Sequence, residues 1–587
     1  MKNDAEIIEV IYGSGKKNSY DLKNFFEENS EEIKNEIILF VSKIKELRIN
    51  YTTLKKLFSF DKNFSLWDLS LVNEKNVYKS DCILNLTKFI SIRKILKKKR
   101  CSKLILKNFD KKFINIFKKT SLSRLYNFEI IDEIDHNQTF KDSLLNIVNN
   151  STILSFFYFI YYSFKNFSFK KINKFGKNYK HIIINYFTQF NSKKLNQSKF
   201  EPNQWPNFLN KKKNLFWLNI FLPSKKFKTI HSINSYLRIK KVKNVDFINN
   251  YFSLKIFLRV IKTFIISNYK YNIYLKKNSF FKTKNDYYLF LDQEIKKSFC
   301  CFHLLQNLSY HFLIKSIFKN GVNKENKLFY LFENQPWERS LNFISNENKI
   351  DKIYGYSHTT INYWHLNYFH TKSENFNFKE NHLPKKILCH SKNCRNYLIN
   401  QGISTSKILD VSAERFRWAS NIKRNEISKN KLSKILIIGD YENKINNNLI
   451  NIINSSIKKL YKKNLLSFFY KPHPSTFQNH KNLNPNIKIV RDDLKKIINN
   501  FDLIISTNST AASAELSITN KKILIFIDKM NLDLSPYKIK NKFLNNINFT
   551  NEFNLTEKLE SLSSINKINY NFYFQKKYLS KWKFLFK

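Results

Sequence analysis

Residues 465–476 read LLSFFYKPHPST and residues 501–510 read FDLIISTNST. Each is a short run of apolar, β-prone side chains that stops at a polar group. The first run ends at Tyr470 and passes into Lys471-Pro472-His473-Pro474-Ser475-Thr476, which holds two of the nine prolines in the chain. The second ends at Ser506 and passes through Thr507-Asn508-Ser509-Thr510 into Ala511-Ala512-Ser513-Ala514. Short apolar runs bounded by turn residues read as strands buried on both faces, the kind found in parallel sheets covered by helices. The pair predicts two strand ends within one β-α-β series, and so an α/β fold.

Around this pair the alternation is regular. Strands are predicted at 434–438, 466–470, 487–490, 503–506 and 522–527, with helices at 448–462, 494–499 and 511–518, a doubly wound Rossmann-like domain assigned to residues 418–545. A Lys- and Asn-rich stretch, 421–431, has linker character. Upstream, residues 1–417 form a second α/β unit. It has strands at 7–11, 37–41, 215–222, 327–333, 352–356, 386–389 and 408–411, and helices at 25–35, 247–266, 299–318 and 392–401. A turn is expected at Tyr12-Gly13-Ser14-Gly15. Residues 90–200 read as a helical insertion. A helical tail, 546–587, is expected to pack back on the first unit. The whole is predicted to be α/β, two Rossmann-like doubly wound domains facing a central cleft.

Ligands of open parallel sheets bind beyond the carboxyl ends of the strands, so the residues there are the site candidates. Gly439 and Asp440 follow the strand 434–438. Glycine occurs only seven times in the chain, so Gly439 marks either a close backbone approach or a simple tight turn. Lys471 and His473 stand on a loop stiffened by proline on both sides of the histidine, which suits a phosphate ester. Ser506, Ser509 and Thr510 crowd the start of the helix 511–518, where free N–H groups attract anions or where a hydroxyl simply caps. Glu515 is placed to accept from ribose hydroxyls or to be an exposed acid. In the first unit Glu333 and His358 follow neighbouring strands, and either one would serve as the base that deprotonates an acceptor hydroxyl. Glu74, in the cluster Trp67-Asp68-Leu69-Ser70 to Glu74-Lys75 with Tyr78 behind it, is a third candidate. Trp67 is either a sugar-stacking platform or a core residue.

The formal charge is +56, yet only 12 of the 102 basic residues are Arg and the Lys residues are spread along every segment. Nucleic-acid readout favours clustered Arg, so that reading ranks last. The same charge favours anionic membrane surfaces, glycans and nucleotides. The six cysteines show no paired spacing, which suits a reducing cytoplasmic compartment. No strand end carries Asp-x-Asp, so neither a metal nor a resident cofactor is expected. Residues 153–164 are the most apolar stretch, too short to span a bilayer. The default reading is a buried helix, and the alternative is an interfacial helix with Lys165, Lys170 and Lys171 near headgroups.

The Lys-Pro-His-Pro and Ser/Thr-rich elements resemble the paired motifs of bacterial polysialyltransferases and capsule Kdo transferases, GT-B enzymes that use CMP-activated sugars. That resemblance implies that His473, Ser509 and Thr510 hold a CMP phosphate. Over residues 67–80, 200–221, 332–339, 355–369 and the second domain, the chain resembles a family of surface-carbohydrate biosynthesis proteins of Gram-negative bacteria. Such families commonly carry Gly where Val411-Ser412-Ala413-Glu414-Arg415 has Ser412, so the interdomain hinge is expected to differ, with Arg415 still reaching the donor phosphates. The function implied is an inverting, metal-independent glycosyltransferase of lipopolysaccharide, O-antigen or capsule synthesis. Its partners would be a nucleotide-sugar donor, a glycan or lipid-linked acceptor and the inner-membrane surface. A CDP-polyol phosphotransferase and a non-catalytic surface-glycan assembly protein are the alternatives.

Overall fold

The computed structural model describes residues 5–12, 17–97, 101–134, 147–170, 178–187, 200, 202, 204–224, 226–276, 285–371, 382–419, 434–440, 442–460, 466–473, 482–516, 519, 521–534, 548–561 and 579–587. The glycine turn 13–16, the linker 421–431, Lys171 and Pro474-Ser475-Thr476 lie outside the described residues.

The chain opens with a mixed sheet in the order β2-β1-β3-β4, built from β1 (Ile7–Tyr12), β2 (Lys17–Asp21), β3 (Cys101–Lys107) and β4 (Asn127–Ile131). Only β3 and β4 pair in parallel. The helices α1 (Leu22–Glu28), α2 (Ser30–Ile44) and α3 (Cys82–Lys97) pack together beside it. Residues 37–41 are not the expected strand but part of α2. Ile33, Ile37, Ile38, Val41 and Ile44 are all buried there, and their spacing places them on one helical face. The expected helical insertion at 90–200 is not a helical unit: α3, the short helices Lys111–Phe117 and Ser121–Leu125, and α4 (Thr152–Asn166) are interspersed with β3 and β4, which complete the first sheet, and with the strand His181–Tyr186 of the next.

The next sheet has seven parallel strands: β5 (His181–Tyr186), β6 (Leu215–Ile220), β7 (Val245–Phe247), β8 (Lys327–Leu331), β9 (Ile353–Ser357), β10 (Lys386–Cys389) and β11 (Ile408–Asp410). Their order is β7-β6-β5-β8-β9-β10-β11, so the winding direction reverses between β5 and β8. The helices α5 (Leu254–Lys270), α6 (Phe302–Gly321) and α7 (Pro336–Glu347) lie on this domain, with α6 packed against α4, α5 and α7. Pro336 occupies the first turn of α7, where a missing N–H costs nothing.

The third sheet, again all parallel, is formed by β12 (Lys434–Ile438), β13 (Ser467–Lys471), β14 (Lys488–Ile489), β15 (Leu503–Thr507), β16 (Lys522–Phe526) and β17 (Asn548–Phe549). Its order, β14-β13-β12-β15-β16-β17, repeats the reversal, here between β12 and β15. The helices α8 (Asn443–Leu460), α9 (Ala511–Leu516) and α10 (Glu552–Glu560) flank it. The last helix, α11 (Leu579–Leu585), joins the seven-stranded domain instead. The buried Trp582 ring meets Tyr356 at 4.9 Å and Trp205 at 6.0 Å, and Phe586 stacks on Phe329 at 4.2 Å. Trp582 Nε1 donates to Ser412 O at 3.1 Å. Burying an aromatic of this size stabilises by roughly 2–3 kcal/mol.

The fold is thus α/β and GT-B-like, with two Rossmann-like sheets facing one cleft. Polar ties cross it. Arg415 Nε donates to Glu515 Oε1 at 3.0 Å. From α1, Lys23 Nζ donates to Asp528 O at 3.0 Å, and Glu27 Oε1 accepts from Asp533 N at 3.1 Å. Glu27 also accepts from Trp364 Nε1 at 3.2 Å, so one carboxylate touches both domains.

Residues 153–164 do form a helix, but not a buried one. Along α4 only Ser155, Phe159 and Asn166 are buried: besides α6 it meets the helix Ile230–Ile239 and, through Phe159, Phe257 of α5, and these contacts leave its outward side exposed.

Candidate active site

A cavity of about 200 Å³ sits between the domains. It is lined by Asn76 and Tyr78, by Glu333, by Thr359, Thr360, Asn362, His365, Asn367 and Tyr368, and across the gap by Ser509 and Thr510. Every wall is polar or aromatic, and each lies in a loop beyond a strand's carboxyl end or in the 76–78 turn.

Glu333 owes its position to the residues after it. The main chain leaves β8 and turns at Asn334, whose φ of 55° is the left-handed conformation that Asn tolerates. The Glu338 carboxylate of α7 closes the turn by accepting from Glu333 N at 3.1 Å and Asn334 N at 2.8 Å. Arg339, fully buried, donates to Asp68 O, Asn73 O and Asn334 O at 3.1, 3.1 and 3.2 Å. That ties the 66–74 segment to the same turn. The Glu333 side chain, about a third exposed, accepts from Gln335 Nε2 at 2.6 Å. Burial pushes its carboxyl above the ordinary range, against the pull of Gln335, Lys79 and Arg415. His358 Nε2 lies 3.7 Å from Glu333 Oε1. Its Nδ1 is buried with no hydrogen-bond partner among the described residues. Burial, reinforced by Arg415 and His390, holds this imidazole far below its usual pKa, so it is neutral at physiological pH. His365 meets Tyr78 Oη at 2.9 Å, and burial lowers it to about 4.

Glu74 stays out of the cavity. It is fully buried and holds Lys79 Nζ at 2.6 Å and Asn76 Nδ2 at 3.2 Å. Burial alone would raise it, but Lys79, His303 and Arg339 together keep it below the ordinary range, an ionised strut. Trp67 is a core residue, 1% exposed.

On the opposite wall, Thr507 Oγ1 and Ser509 Oγ both donate to Asp440, which is itself buried. Asp440 N donates to Asn446 Oδ1 at 3.0 Å, an atom that also accepts from Tyr470 Oη at 2.9 Å. This explains Gly439: a Cβ there would come within 2.4 Å of Tyr470 Oη and 2.9 Å of Asn446 Oδ1. The close approach is to the protein's own hydrogen-bond network. Ser506 falls inside β15, which runs one residue further than expected, and its hydroxyl is buried in the sheet away from the cavity. Lys471 turns outward, its Nζ donating to Asp492 O at 2.6 Å. His473 is half-buried, with its pKa lowered by burial against the opposing pull of Asp440, and Arg415 is also within electrostatic range. Glu515 is engaged by Arg415, and burial raises its carboxyl.

The structure therefore brings together Glu333, His358, Ser509, Thr510, Asp440, Arg415, Glu515 and His473, and leaves Glu74, Ser506 and Lys471 aside. The sequence reading does not single out Asn76, Asn362, His365, Asn367 and Tyr368. The signal for most of them was the density of His, Asn and aromatic residues between Ser357 and His370, directly after a strand.

No protein-family model matches the chain, and a search of curated proteins returns no match. Solved structures similar to it include a UDP-GlcNAc 2-epimerase from Neisseria meningitidis bound to UDP-GlcNAc, at 10% identity over 66% of this chain and 95% of that one, TM-score 0.38. An S. aureus MnaA-UDP co-structure shares 9% identity over 68% and 94%, TM-score 0.38. Acinetobacter baumannii MurG shares 10% over 66% and 92%, TM-score 0.34.

Proposed function

We propose that the chain is a glycosyltransferase of surface-polysaccharide or lipopolysaccharide synthesis. It would move a sugar from a nucleotide-activated donor, a CMP-linked nonulosonic acid or Kdo-like sugar, to a glycan or lipid-linked acceptor at the cytoplasmic face of the inner membrane. The observation that carries this is the cavity in which Glu333 and the Ser509–Thr510 hydroxyl turn face each other across two Rossmann-like domains.

In this reading Glu333 takes the proton of the acceptor hydroxyl, which attacks the anomeric carbon from the side opposite the leaving phosphate and inverts it. A carboxyl raised by burial is a stronger base than one in water, and the neutral His358 beside it adds no competing charge. On the far side Arg415, His473 and Thr510 offset the charge that develops on the departing phosphate, with no metal needed for that role. Asp440 fixes the rotamers of Thr507 and Ser509 and so shapes the turn without touching the donor.

The test is release of CMP from CMP-Kdo and a CMP-nonulosonate by the purified protein, with UDP-sugars and CDP-glycerol in parallel. CMP release that is lost in His473→Ala and Glu333→Gln supports the reading. Turnover of CDP-glycerol alone would replace it with polyol-phosphate transfer. No turnover, together with unchanged surface glycan when the two variants complement a deletion strain, would make the chain a non-catalytic assembly protein.

A further inference from the structure

The outward faces of α4 and α5 are apolar. On α4, Ile153, Leu154, Phe157, Tyr161 and Phe164 are exposed, Ile153 by 69% and Phe164 by 75%. On α5, Leu254, Leu258, Ile265, Ile266 and Tyr269 are exposed, Leu254 by 67%. The two helices touch through the buried Phe159, which stacks on Phe257 at 5.9 Å, and the exposed Phe164 and Leu254 border one groove. Between the C-terminal end of α4 and the N-terminal end of α5 lies a groove of roughly 210 Å³ bordered by Ile160, Phe164, Phe169, Phe252, Leu254 and Phe257. A monomer in water seldom leaves so many large apolar side chains together on one face, and when it does the face marks an interaction site.

Charge identifies the occupant. Residues 147–170 and 253–276 contain no Asp or Glu, while Lys165, Lys170, Lys255, Arg259, Lys262, Lys270 and Lys276 fall within them. Of these, Lys170 is paired with Asp246 and Lys270 with the Leu57 carbonyl. Lys255, Arg259 and Lys262 stand exposed on α5 between the apolar residues. Aromatic and aliphatic side chains interspersed with basic ones, and no acid, match the boundary between acyl chains and anionic headgroups. No helix among the described residues is long and apolar enough to cross a membrane, so the surface would lie on the bilayer.

The surface is also tied to the cleft's end of the sheet. Asn249, directly after β7, donates from Nδ2 to Asn166 O at 3.1 Å and accepts from Phe221 N at 2.9 Å, just past β6. Asn250 O accepts from Lys170 N at 2.7 Å. The loop that seats the apolar groove thus caps the carboxyl ends of β6 and β7, on the edge of the sheet that holds Glu333.

We propose that the α4–α5 face docks the protein on an anionic lipid bilayer, with the groove receiving acyl-chain carbon and Lys255, Arg259 and Lys262 meeting phosphate headgroups. The inference is independent of the transferase activity, because vesicle binding is read without donor or acceptor. The experiment is co-sedimentation of the full chain with phosphatidylglycerol–phosphatidylcholine vesicles and with phosphatidylcholine vesicles. The wild type should partition onto the anionic vesicles. Phe157→Glu/Phe164→Glu/Leu258→Glu, all at exposed positions, should lower that partitioning about tenfold or more. Lys255→Gln/Lys262→Gln keeps the apolar row and should lose about fivefold per charge on anionic vesicles, with no change on neutral ones. Absence of wild-type binding to anionic vesicles overturns the proposal, as does equal partitioning of wild type and the triple variant. A dimer seen by light scattering in the wild type and broken by the triple variant, without vesicle binding, also overturns it in favour of a second copy of the chain.

Discussion

At the carboxyl end of β8 the seven-stranded domain places Glu333, Glu338 and Arg339 within seven residues, and only the first reaches the cavity. At the ends of β12 and β15 the six-stranded domain places Asp440, Thr507 and Ser509, and there the carboxylate is sealed while a hydroxyl turn lines the cavity. The topology is the same in both, reversing at the switch point, yet the burial of charge is arranged oppositely. One wall uses its carboxylate and guanidinium on backbone groups so that a second carboxylate, with a raised pKa, can stand at the cavity. The other uses its carboxylate to hold neutral hydroxyls. A base belongs on the first wall and an anion on the second, where hydroxyl donors line the cavity and the carboxylate that holds them lies buried behind them.

The sharpest way to break this contrast is Glu333→Gln, which keeps the shape and removes the base. Turnover should fall by 10² to 10⁴, roughly 3–5 kcal/mol of barrier, with little change in the unfolding midpoint. In the wild type the acid limb of the rate profile should lie above the ordinary carboxylate range, in the direction burial pushes Glu333. Arg339→Ala should then cost about 3 kcal/mol in urea unfolding, because three buried carbonyls lose their donor at once. On the other wall Asp440→Asn should cost about 2 kcal/mol and weaken nucleotide binding, since Thr507 and Ser509 would lose a charged acceptor. Gly439→Ala should cost about 1–2 kcal/mol through the collision with Tyr470 Oη, and Tyr470→Phe in the same chain should recover part of it.

The smallest effect is a pH dependence of the contact between the walls. Burial raises Glu27 to about 7. A carboxyl whose folded pKa lies above its unfolded one contributes stability that is complete below the unfolded value and is lost as pH rises through the folded one. Between about pH 4.5 and 7 the wild type should therefore lose stability that Glu27→Gln does not, read as a wild-type thermal midpoint that falls relative to the variant's as pH rises.

Five strands of the second domain were legible, because they are apolar runs ended by polar groups, but β17 and α10, which complete it, fell in the stretch 546–587 expected to be a helical tail on the first unit. The first was less so. Residues 37–41 are as apolar as a strand, and only the longer spacing from Ile33 to Ile44 reveals a helical face. The α4 sequence is apolar on nearly all sides, so hydropathy sets it in the core, although Ile153, Leu154, Phe157, Tyr161 and Phe164 are exposed. In the site, Glu333 was readable from its place after a strand. The fates of Glu74, Lys471 and Ser506 were not, since a side chain's direction depends on its surroundings in the fold, such as the Arg339 and His303 charges near Glu74 or the Asp492 carbonyl that takes Lys471. Gly439 stood out as either a close approach or a tight turn, and the structure shows an approach to Tyr470 Oη and Asn446 Oδ1.

The position of Trp582 and Phe586 has a consequence for biosynthesis. The aromatic face formed by Phe329, Tyr356 and Trp205 is sealed by residues translated some 170 positions after Ser412, the backbone partner of Trp582. During translation the seven-stranded domain must wait with that patch bare while the entire six-stranded domain is made. Its last aromatic layer therefore closes only after the six-stranded domain has been made, and a chain cut before residue 579 should bind a hydrophobic dye that the full chain does not.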